Sequence, residues 1–132
     1  MRLGGALICY LDTQPAIWLA EGNTRMLPYN ALSCIEASEV RISPIVVLEL
    51  EYLYETERTL LSPQQIVYKL NAELGSRVCD YPFTIIAEIA LGETWTKDPF
   101  DRLIVSHAKA NDLAVLVTSD QTIAQHYQNA IW

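Results

Sequence analysis

Four acidic residues stand where an ordinary surface acid would be hard to explain. They are Asp12, Glu49, Asp101 and Asp120. Each one ends, interrupts or opens an apolar segment of the chain. An isolated buried carboxylate is costly unless it is paired, protonated or bound to a cation. If the four side chains converge in the fold, they would therefore point to a site for a divalent metal ion.

Two of these acids come shortly after predicted β-strands. Asp12 follows a predicted strand at 6–11, and Asp120 follows another at 113–117. In open α/β sheets, ligands bind beyond the carboxyl ends of the strands. We therefore expect Asp12 and Asp120 to share one crevice, provided that their two strands are neighbours.

Helix capping and turn formation are competing explanations for several of the acids. Asp12 could cap a helix that begins near Pro15, because Asp is a favoured N-cap residue. Asp98 also suits a helix start, and together with Asp101 it resembles a capping box. Asp120 could belong to a plain turn. The sequence alone leaves both explanations open for each of these residues.

Glu49 lies in a predicted helix at 44–59 whose residues are apolar on nearly every side. Such a helix is expected to be buried on most of its faces. Glu49 and Glu51 point to different sides of the helix, and periodicity does not choose between them. A solvated glutamate, which is the usual case, fits so apolar a helix poorly.

Strands and helices alternate in the predicted secondary structure. The predicted strands are at 6–11, 40–42, 78–83 and 113–117, with a short one at 130–132. The predicted helices run from Thr13 to a break at Gly22, and then at 28–38, 44–59, 63–74, 84–91 and 99–110. This alternation predicts an α/β fold with a mostly parallel sheet. With 132 residues, the chain suits a single domain spanning 1–132.

The overall composition is that of an ordered protein. Hydrophobic residues make up 51% of the chain and charged residues 19%, which is far from the composition of a disordered protein. No apolar run approaches the roughly 20 residues that span a bilayer. The apolar run near the N-terminus is also too short for a signal peptide. We therefore expect a cytoplasmic protein that does not associate with membranes.

The net charge of −7 limits how the protein could contact a nucleic acid. An acidic chain is poorly suited to bind nucleic acid through a broad basic face. It can still bind phosphates through cations held by its acids, because a bound metal ion reverses the local charge. A local basic rim is a second route, and its candidates are Arg41, Arg58, Lys69, Arg77, Lys97, Arg102 and Lys109.

Other catalytic chemistries find little support in the sequence. The three cysteines, Cys9, Cys34 and Cys79, have no CxxC spacing and predict buried thiols rather than a disulfide framework or a zinc site. His107 and His126 fit core or surface positions better than metal ligation. Neither a nucleophile elbow nor a glycine-rich phosphate loop is present.

Short segments, taken in order along the chain, form a recognisable pattern. They are Leu11-Asp12-Thr13, Ser43-Pro44 with Leu48-Glu49-Leu50, Asp98-Pro99-Phe100-Asp101-Arg102-Leu103-Ile104-Val105, Thr118-Ser119-Asp120 and the terminal Ile131-Trp132. Together they resemble the PIN domain, the nuclease domain named for the PilT N-terminus, and most closely its small bacterial members of the virulence-associated toxin C type. The resemblance covers essentially the whole chain. It departs from the pattern at Thr96-Lys97, where members of the subgroup often place a histidine.

The resemblance implies a three-layer α/β/α sandwich and ribonuclease activity that depends on Mg²⁺ or Mn²⁺. The acids that it implies for the metal site are Asp12, Glu49, Asp101 and Asp120, with Asp98 as an accessory. Thr13 or Thr118 is implied to contact water bound by the metal. As the toxin of a type II toxin–antitoxin pair, such a protein would bind RNA as substrate, a cognate antitoxin and a second copy in a homodimer.

Two other functional classes compete with this interpretation. The chain could be a catalytically silent binding module of the same fold. It could also be an aspartate-dependent phosphatase, since a strand that ends in Leu11-Asp12-Thr13 loosely resembles one. Those enzymes usually have a second Asp two residues after the first, and Gln14 occupies that position here.

Overall fold

The computed structural model describes residues 7–132 of the chain. The strands are β1 (Leu7–Leu11), β2 (Ser38–Ile42), β3 (Arg77–Val78), β4 (Val115–Val117) and β5 (Ala130–Ile131). The helices are α1 (Thr13–Ala20), α2 (Tyr29–Glu36), α3 (Pro44–Glu55), α4 (Pro63–Leu74), α5 (Phe83–Leu91), α6 (Pro99–Ala110) and α7 (Gln121–His126). A short 3₁₀ helix spans Thr24–Met26. Ala6, the first residue of the predicted first strand, lies outside the described residues.

The five strands form one sheet in the order β3-β2-β1-β4-β5. All four strand pairings are parallel, and at least one helix separates each strand from the next along the chain. This architecture confirms the predicted α/β fold and the three-layer α/β/α arrangement. Among the described residues the sheet is parallel throughout, rather than mostly parallel.

The central strand β1 shows that both faces of the sheet are covered. Cys9, Tyr10 and Leu11 follow one another in the chain, and each has 0% of its surface exposed. Because successive side chains of a strand point to opposite faces, helices must pack on both sides of β1. A parallel sheet buried in this way reads as a continuous apolar run in the sequence, as residues 6–11 do.

The strands β1 and β4 are neighbours, as the expected crevice requires. They pair in parallel with Leu11 opposite Val117. The main-chain N–H of Asp12 continues the ladder by donating to the carbonyl of Val117 at 2.9 Å. The carboxyl ends of the two strands therefore lie side by side.

The predicted third strand at 78–83 was wrong over most of its length. The strand β3 ends at Val78, and only the N–H of Cys79 adds one more bond, to Ile42 at 2.8 Å. Pro82 has no N–H to donate and is instead the N-cap residue of α5. The helix α7 was not expected, although Asp120 is a favoured type of N-cap residue.

The expectation that α3 is buried on most faces was also wrong. Only Val46 and Leu50 are fully buried, whereas Leu48 and Tyr52 are 57% and 51% exposed. The helix packs against α1, α4 and α6, which leaves an apolar side open to solvent. Periodicity could not show this, because the apolar residues lie on every side of the helix.

The predicted helix at 63–74 is confirmed as α4. Ser62 and Gln65 form a reciprocal capping box at the start of α4, and Gly75 ends that helix in the left-handed conformation with φ of 66°. The prediction of buried free thiols is confirmed for Cys9 and Cys79 and is wrong for Cys34, which is half-buried. Burial raises the pKa of the Cys9 thiol to about 12, which makes it unreactive.

In the described part of the chain, no helix has both the length and the apolar character needed to cross a membrane.

Candidate active site

Four acids line one pocket of about 320 Å³ beyond the ends of β1 and β4. They are Asp12, Glu49, Asp101 and Asp120, and the other residues of the wall are Thr13, Gln14, Leu53 and Ser119. The acids come from the start of α1, the middle of α3, the first turn of α6 and the start of α7. The fold thus brings together four carboxylates that are far apart in the sequence.

Asp12 is both a helix cap and a residue of the pocket wall. Its Oδ1 accepts a hydrogen bond from the N–H of Thr13 at 2.8 Å, which caps α1. Its Oδ2 accepts a hydrogen bond from Thr118 Oγ1 at 2.7 Å. The two explanations that competed in the sequence are therefore compatible in one side chain.

Asp120 is likewise both the N-cap of α7 and a residue of the pocket wall. Its Oδ1 accepts hydrogen bonds from the N–H groups of Thr122 and Ile123, at 2.8 and 3.1 Å. The N–H of Asp120 donates to Thr118 Oγ1 at 3.0 Å. One threonine hydroxyl therefore connects Asp12 to the backbone of Asp120.

Glu49, and not Glu51, faces the pocket. Its Oε1 accepts a hydrogen bond from Thr13 Oγ1, which links the start of α1 to the middle of α3. In this structure the hydroxyls of Thr13 and Thr118 thus donate to acids of the pocket. These two hydrogen bonds orient the carboxylates of Glu49 and Asp12.

Asp98 and Asp101 are separated in position and in environment. Asp98 is exposed, caps α6 through the N–H of Phe100 at 2.8 Å, and lies outside the pocket wall. A reciprocal capping box is not formed, because the N–H of Asp98 donates to Thr96 Oγ1 at 3.1 Å. The Asp101 carboxylate is therefore not needed for capping and lines the pocket instead.

The electrostatics of the pocket follow from burial and from the proximity of like charges. Burial raises the pKa of Asp12 and of Glu49, against the hydrogen bonds that lower it. Burial also raises the pKa of Asp101 to about 7, and the charges of Asp98, Asp12, Asp120 and Glu49 add to the shift. Both effects disfavour the ionised form. A cation in the pocket would reverse this effect.

The chemistry of these donors fits a hard divalent cation, because such ions prefer carboxylate oxygens. Among residues 7–132, however, no three His, Cys, Asp or Glu side chains already stand as a ligand group. Hydrogen bonds from Thr13, Thr118 and the backbone engage three of the carboxylates, namely those of Asp12, Glu49 and Asp120.

The comparison with protein families bears directly on this pocket. A model of the PIN domain matches residues 9–128 of the chain. The chain belongs to the PIN domain family. PIN domains are nuclease domains, and PIN nucleases generally use divalent metal ions. The matched range includes the four acids of the pocket and Asp98.

Solved structures share the PIN fold of this chain over nearly its full length. VapBC2 from Rickettsia felis, bound to a DNA fragment from the promoter, is 22% identical, with a TM-score of 0.56 and coverage of 95% of this chain and 96% of that chain. DNA-bound VapBC from Salmonella typhimurium is 23% identical, with a TM-score of 0.55 and coverage of 94% and 95%. VapBC-1 from nontypeable Haemophilus influenzae is 22% identical, with a TM-score of 0.56 and coverage of 96% of both chains. A comparison with curated protein sequences gives no match.

Some features of this PIN domain were not anticipated from its sequence. Gln14 and Ser119 line the pocket beside predicted acids. The sequence indicated these two residues only through the acids Asp12 and Asp120 that lie near them in the chain. The hydrogen bond between Thr13 and Glu49 joins residues 36 positions apart. Local patterns carry no signal for such a contact, because it depends on how two helices pack.

Proposed function

We propose that this PIN domain is a ribonuclease that hydrolyses RNA phosphodiester bonds with Mg²⁺ or Mn²⁺ bound. The observation that carries the proposal is the convergence of Asp12, Glu49, Asp101 and Asp120 on one pocket. Clustered carboxylates repel one another when ionised, and a divalent cation is the ligand that relieves the repulsion. Membership of a nuclease family supports the same chemistry.

The acids divide into two proposed roles at the metal site, with Asp98 as an accessory. Asp12, Asp101 and Asp120 hold the metal ion, and Glu49 binds it through water or orients the attacking water. When bound, such an ion supplies Lewis-acid activation of water and neutralises charge that develops on the phosphate. Thr13 positions Glu49 by its hydrogen bond. Asp98 acts as the cap of α6 and as an accessory negative charge beside Asp101.

The proposed substrate is RNA presented as a single strand or loop, because unpaired segments expose their bases and backbone to protein side chains. We propose that residues 1–132 act as one domain and that the reaction takes place in the cytoplasm, where RNA is abundant. The acidic net charge of −7 supports contact with phosphate through the bound cation rather than through a broad basic face.

We further propose that the chain is the toxin of a type II toxin–antitoxin pair and forms a homodimer. The support is its similarity in fold to PIN proteins from VapBC complexes. Large apolar side chains that are exposed on α3 and α5 include Leu48, Tyr52, Phe83, Ile85 and Leu91. Exposed apolar patches mark surfaces that bind other proteins, and an antitoxin and a second copy would cover them.

The ribonuclease proposal can be tested with purified protein and structured RNA. We expect cleavage in Mn²⁺, no cleavage in excess EDTA and recovery when Mn²⁺ is restored. Asp12→Asn should be inactive, whereas Asp112→Asn should be as active as the wild type. Asp112 is an exposed acid outside the pocket, and its φ of 58° suits Asn. Unchanged cleavage in EDTA would contradict the metal mechanism.

A catalytically silent binding module is the second candidate. It is favoured by one observation, namely that the acids do not already stand as a ligand group in the described residues. Titration calorimetry with Mn²⁺ separates the two candidates. Binding that is lost in both Asp12→Asn and Asp101→Asn supports the nuclease, whereas no binding by the wild-type protein supports the silent module.

A further inference from the structure

An aromatic pair lies on the surface where the loop before α6 meets the end of α7. The rings of Trp95 and His126 are stacked, with centroids 5.1 Å apart and planes that differ by 8°. His126 is exposed and Trp95 is half-buried. The exposed member of the pair, His126, is therefore accessible to solvent.

Both rings are held in place by hydrogen bonds within the protein. Trp95 Nε1 donates to Glu93 Oε2 at 2.7 Å. Glu93 is itself buried, and it forms an ion pair with Lys109 of α6. On the other side, His126 Nδ1 lies 2.9 Å from the carbonyl of Thr122. A preformed pair of this kind loses little conformational entropy when a ligand binds.

The two elements that carry the pair are connected along the chain to helix starts that carry acids of the pocket. The helix α7 begins after Asp120 in the pocket wall and ends at His126. Its six residues rise about 9 Å at 1.5 Å per residue. The loop from Trp95 reaches Asp98, the cap of α6, three residues later. The length of α7, about 9 Å along its axis, therefore separates His126 from Asp120.

Lys97 lies on this loop, between the aromatic pair and the cap of α6. Its side chain is exposed, and within residues 7–132 it has no ion-pair partner. The neighbouring Thr96 is fixed on both sides, because its carbonyl accepts from Arg102 Nε at 2.8 Å and its Oγ1 accepts from the N–H of Asp98 at 3.1 Å. Lys97 therefore extends from a loop whose backbone is fixed by hydrogen bonds.

We propose that Trp95 and His126 form a stacking platform for an unpaired base of single-stranded RNA, and that Lys97 binds a phosphate of the same strand. A stack that served only to pack the loop would gain most by burying both rings, but His126 is exposed. Aromatic faces combined with cations are the features by which proteins bind single strands. The inference rests on the proposed ribonuclease function.

The test measures binding of a fluorescent single-stranded oligoribonucleotide to the full-length chain in Mg²⁺. An Asp12→Asn background keeps the RNA intact. Stacking on an aromatic side chain contributes about 1–3 kcal/mol per base, so His126→Ala should weaken binding by about 5- to 150-fold. His126→Tyr should restore most of the affinity, because it keeps a ring. Lys97→Ala should weaken binding and reduce the slope of log K against log salt by about 0.7.

Matched controls separate this inference from the ribonuclease proposal. Gln125→Ala, an exposed neighbour on α7, should bind like the parent protein, and melting temperatures should show that every variant is folded. A 2-aminopurine base in the oligonucleotide should be quenched by the parent and not by His126→Ala. If wild-type protein cleaves RNA but His126→Ala binds and quenches like the parent, the platform is disproved and the nuclease stands. If wild-type protein neither cleaves nor binds RNA, both proposals fail.

Discussion

His107 Nδ1 lies 2.9 Å from Ser43 Oγ, and this hydrogen bond joins two helices that carry acids of the pocket. Ser43 is the N-cap of α3, which carries Glu49, and His107 belongs to α6, which carries Asp101. Both residues are about 1% exposed. The hydrogen bond therefore fixes the start of α3 against α6 inside the core.

Removal of this link should destabilise the protein more than the loss of an ordinary cap. Ser43→Ala removes both the cap of α3 and a partner of His107. A lost N-cap costs about 1 kcal/mol. The lost hydrogen bond to His107, whose Nδ1 keeps the Leu103 carbonyl as its other partner at 2.9 Å, costs about 0.5–1.5 kcal/mol more. Urea denaturation should therefore show a loss of about 2 kcal/mol. Ser62→Ala removes an exposed cap of α4 and should cost only about 1 kcal/mol; equal losses in the two variants would contradict the role of the link.

The pH dependence of stability should reveal that His107 is buried in its neutral form. Burial lowers the pKa of His107 in the folded protein, whereas in the unfolded chain it is about 6.5. The unfolded state then binds more protons, so stability should fall as pH drops from about 6.5 toward the folded pKa. The wild-type curve minus the His107→Gln curve isolates this contribution, since the pocket acids titrate in both proteins. A difference that is flat below pH 6.5 would refute the prediction.

Metal affinity should rise with pH through the titration of Asp101. Burial and neighbouring acids raise its pKa to about 7 in the metal-free protein. Below that pH the carboxyl is mostly protonated, and a metal ion must displace the proton to bind. Calorimetry should show tighter Mn²⁺ binding at pH 8 than at pH 6. Proton release at pH 6 should appear as a binding enthalpy that changes with the ionisation enthalpy of the buffer. Asp101→Asn should bind Mn²⁺ weakly or not at all at both pH values, and affinity independent of pH in the wild type would count against the assignment.

Asp12 and Asp120 can be neutralised without loss of their capping oxygens. Asn is as good an N-cap residue as Asp, and neutralisation removes charge repulsion from the pocket. Asp12→Asn and Asp120→Asn should therefore abolish cleavage while the metal-free melting temperature stays equal or rises. Mg²⁺ should raise the melting temperature of the wild type more than that of either variant, because a ligand stabilises the state that binds it.

Asp120→Ala is the matched control for that comparison. It removes the same charge together with the hydrogen bonds to Thr122 and Ile123. It should lose about 1 kcal/mol of stability. A large drop in melting temperature for Asp120→Asn as well would mean that the charge itself is needed for folding.

Serine variants of Asp98 and Asp101 should differ clearly in activity. Asp98→Ser keeps an oxygen that can accept from the N–H of Phe100, so it should retain most activity. Asp101→Ser removes a carboxylate from the pocket wall and should lose nearly all activity with little change in stability. Turnover and melting temperature at saturating Mn²⁺ provide the measurement. An inactive Asp98→Ser beside an active Asp101→Ser would place Asp98 at the metal and reverse the assignment.

Much of this fold could be predicted from local features of the sequence. A buried parallel strand produces a continuous apolar run such as residues 6–11. Helix starts are marked by residues whose side chains satisfy free N–H groups, as at Ser43, Ser62 and Asp98. These signals depend only on neighbours in the chain, and they were sufficient to predict the alternation of strands and helices and the α/β class.

The tertiary structure decided what local signals could not, because those features depend on packing between distant segments. The pairing of β1 with β4 brings Asp12 beside Asp120. The contacts of α3 with α1, α4 and α6 turn Glu49 rather than Glu51 into the pocket and leave Leu48 exposed. A helix with apolar residues on every side has no preferred inward face until its neighbours cover one. The sequence by itself determined which acids were candidates, and only the packing of the helices on the sheet placed four of them around one pocket.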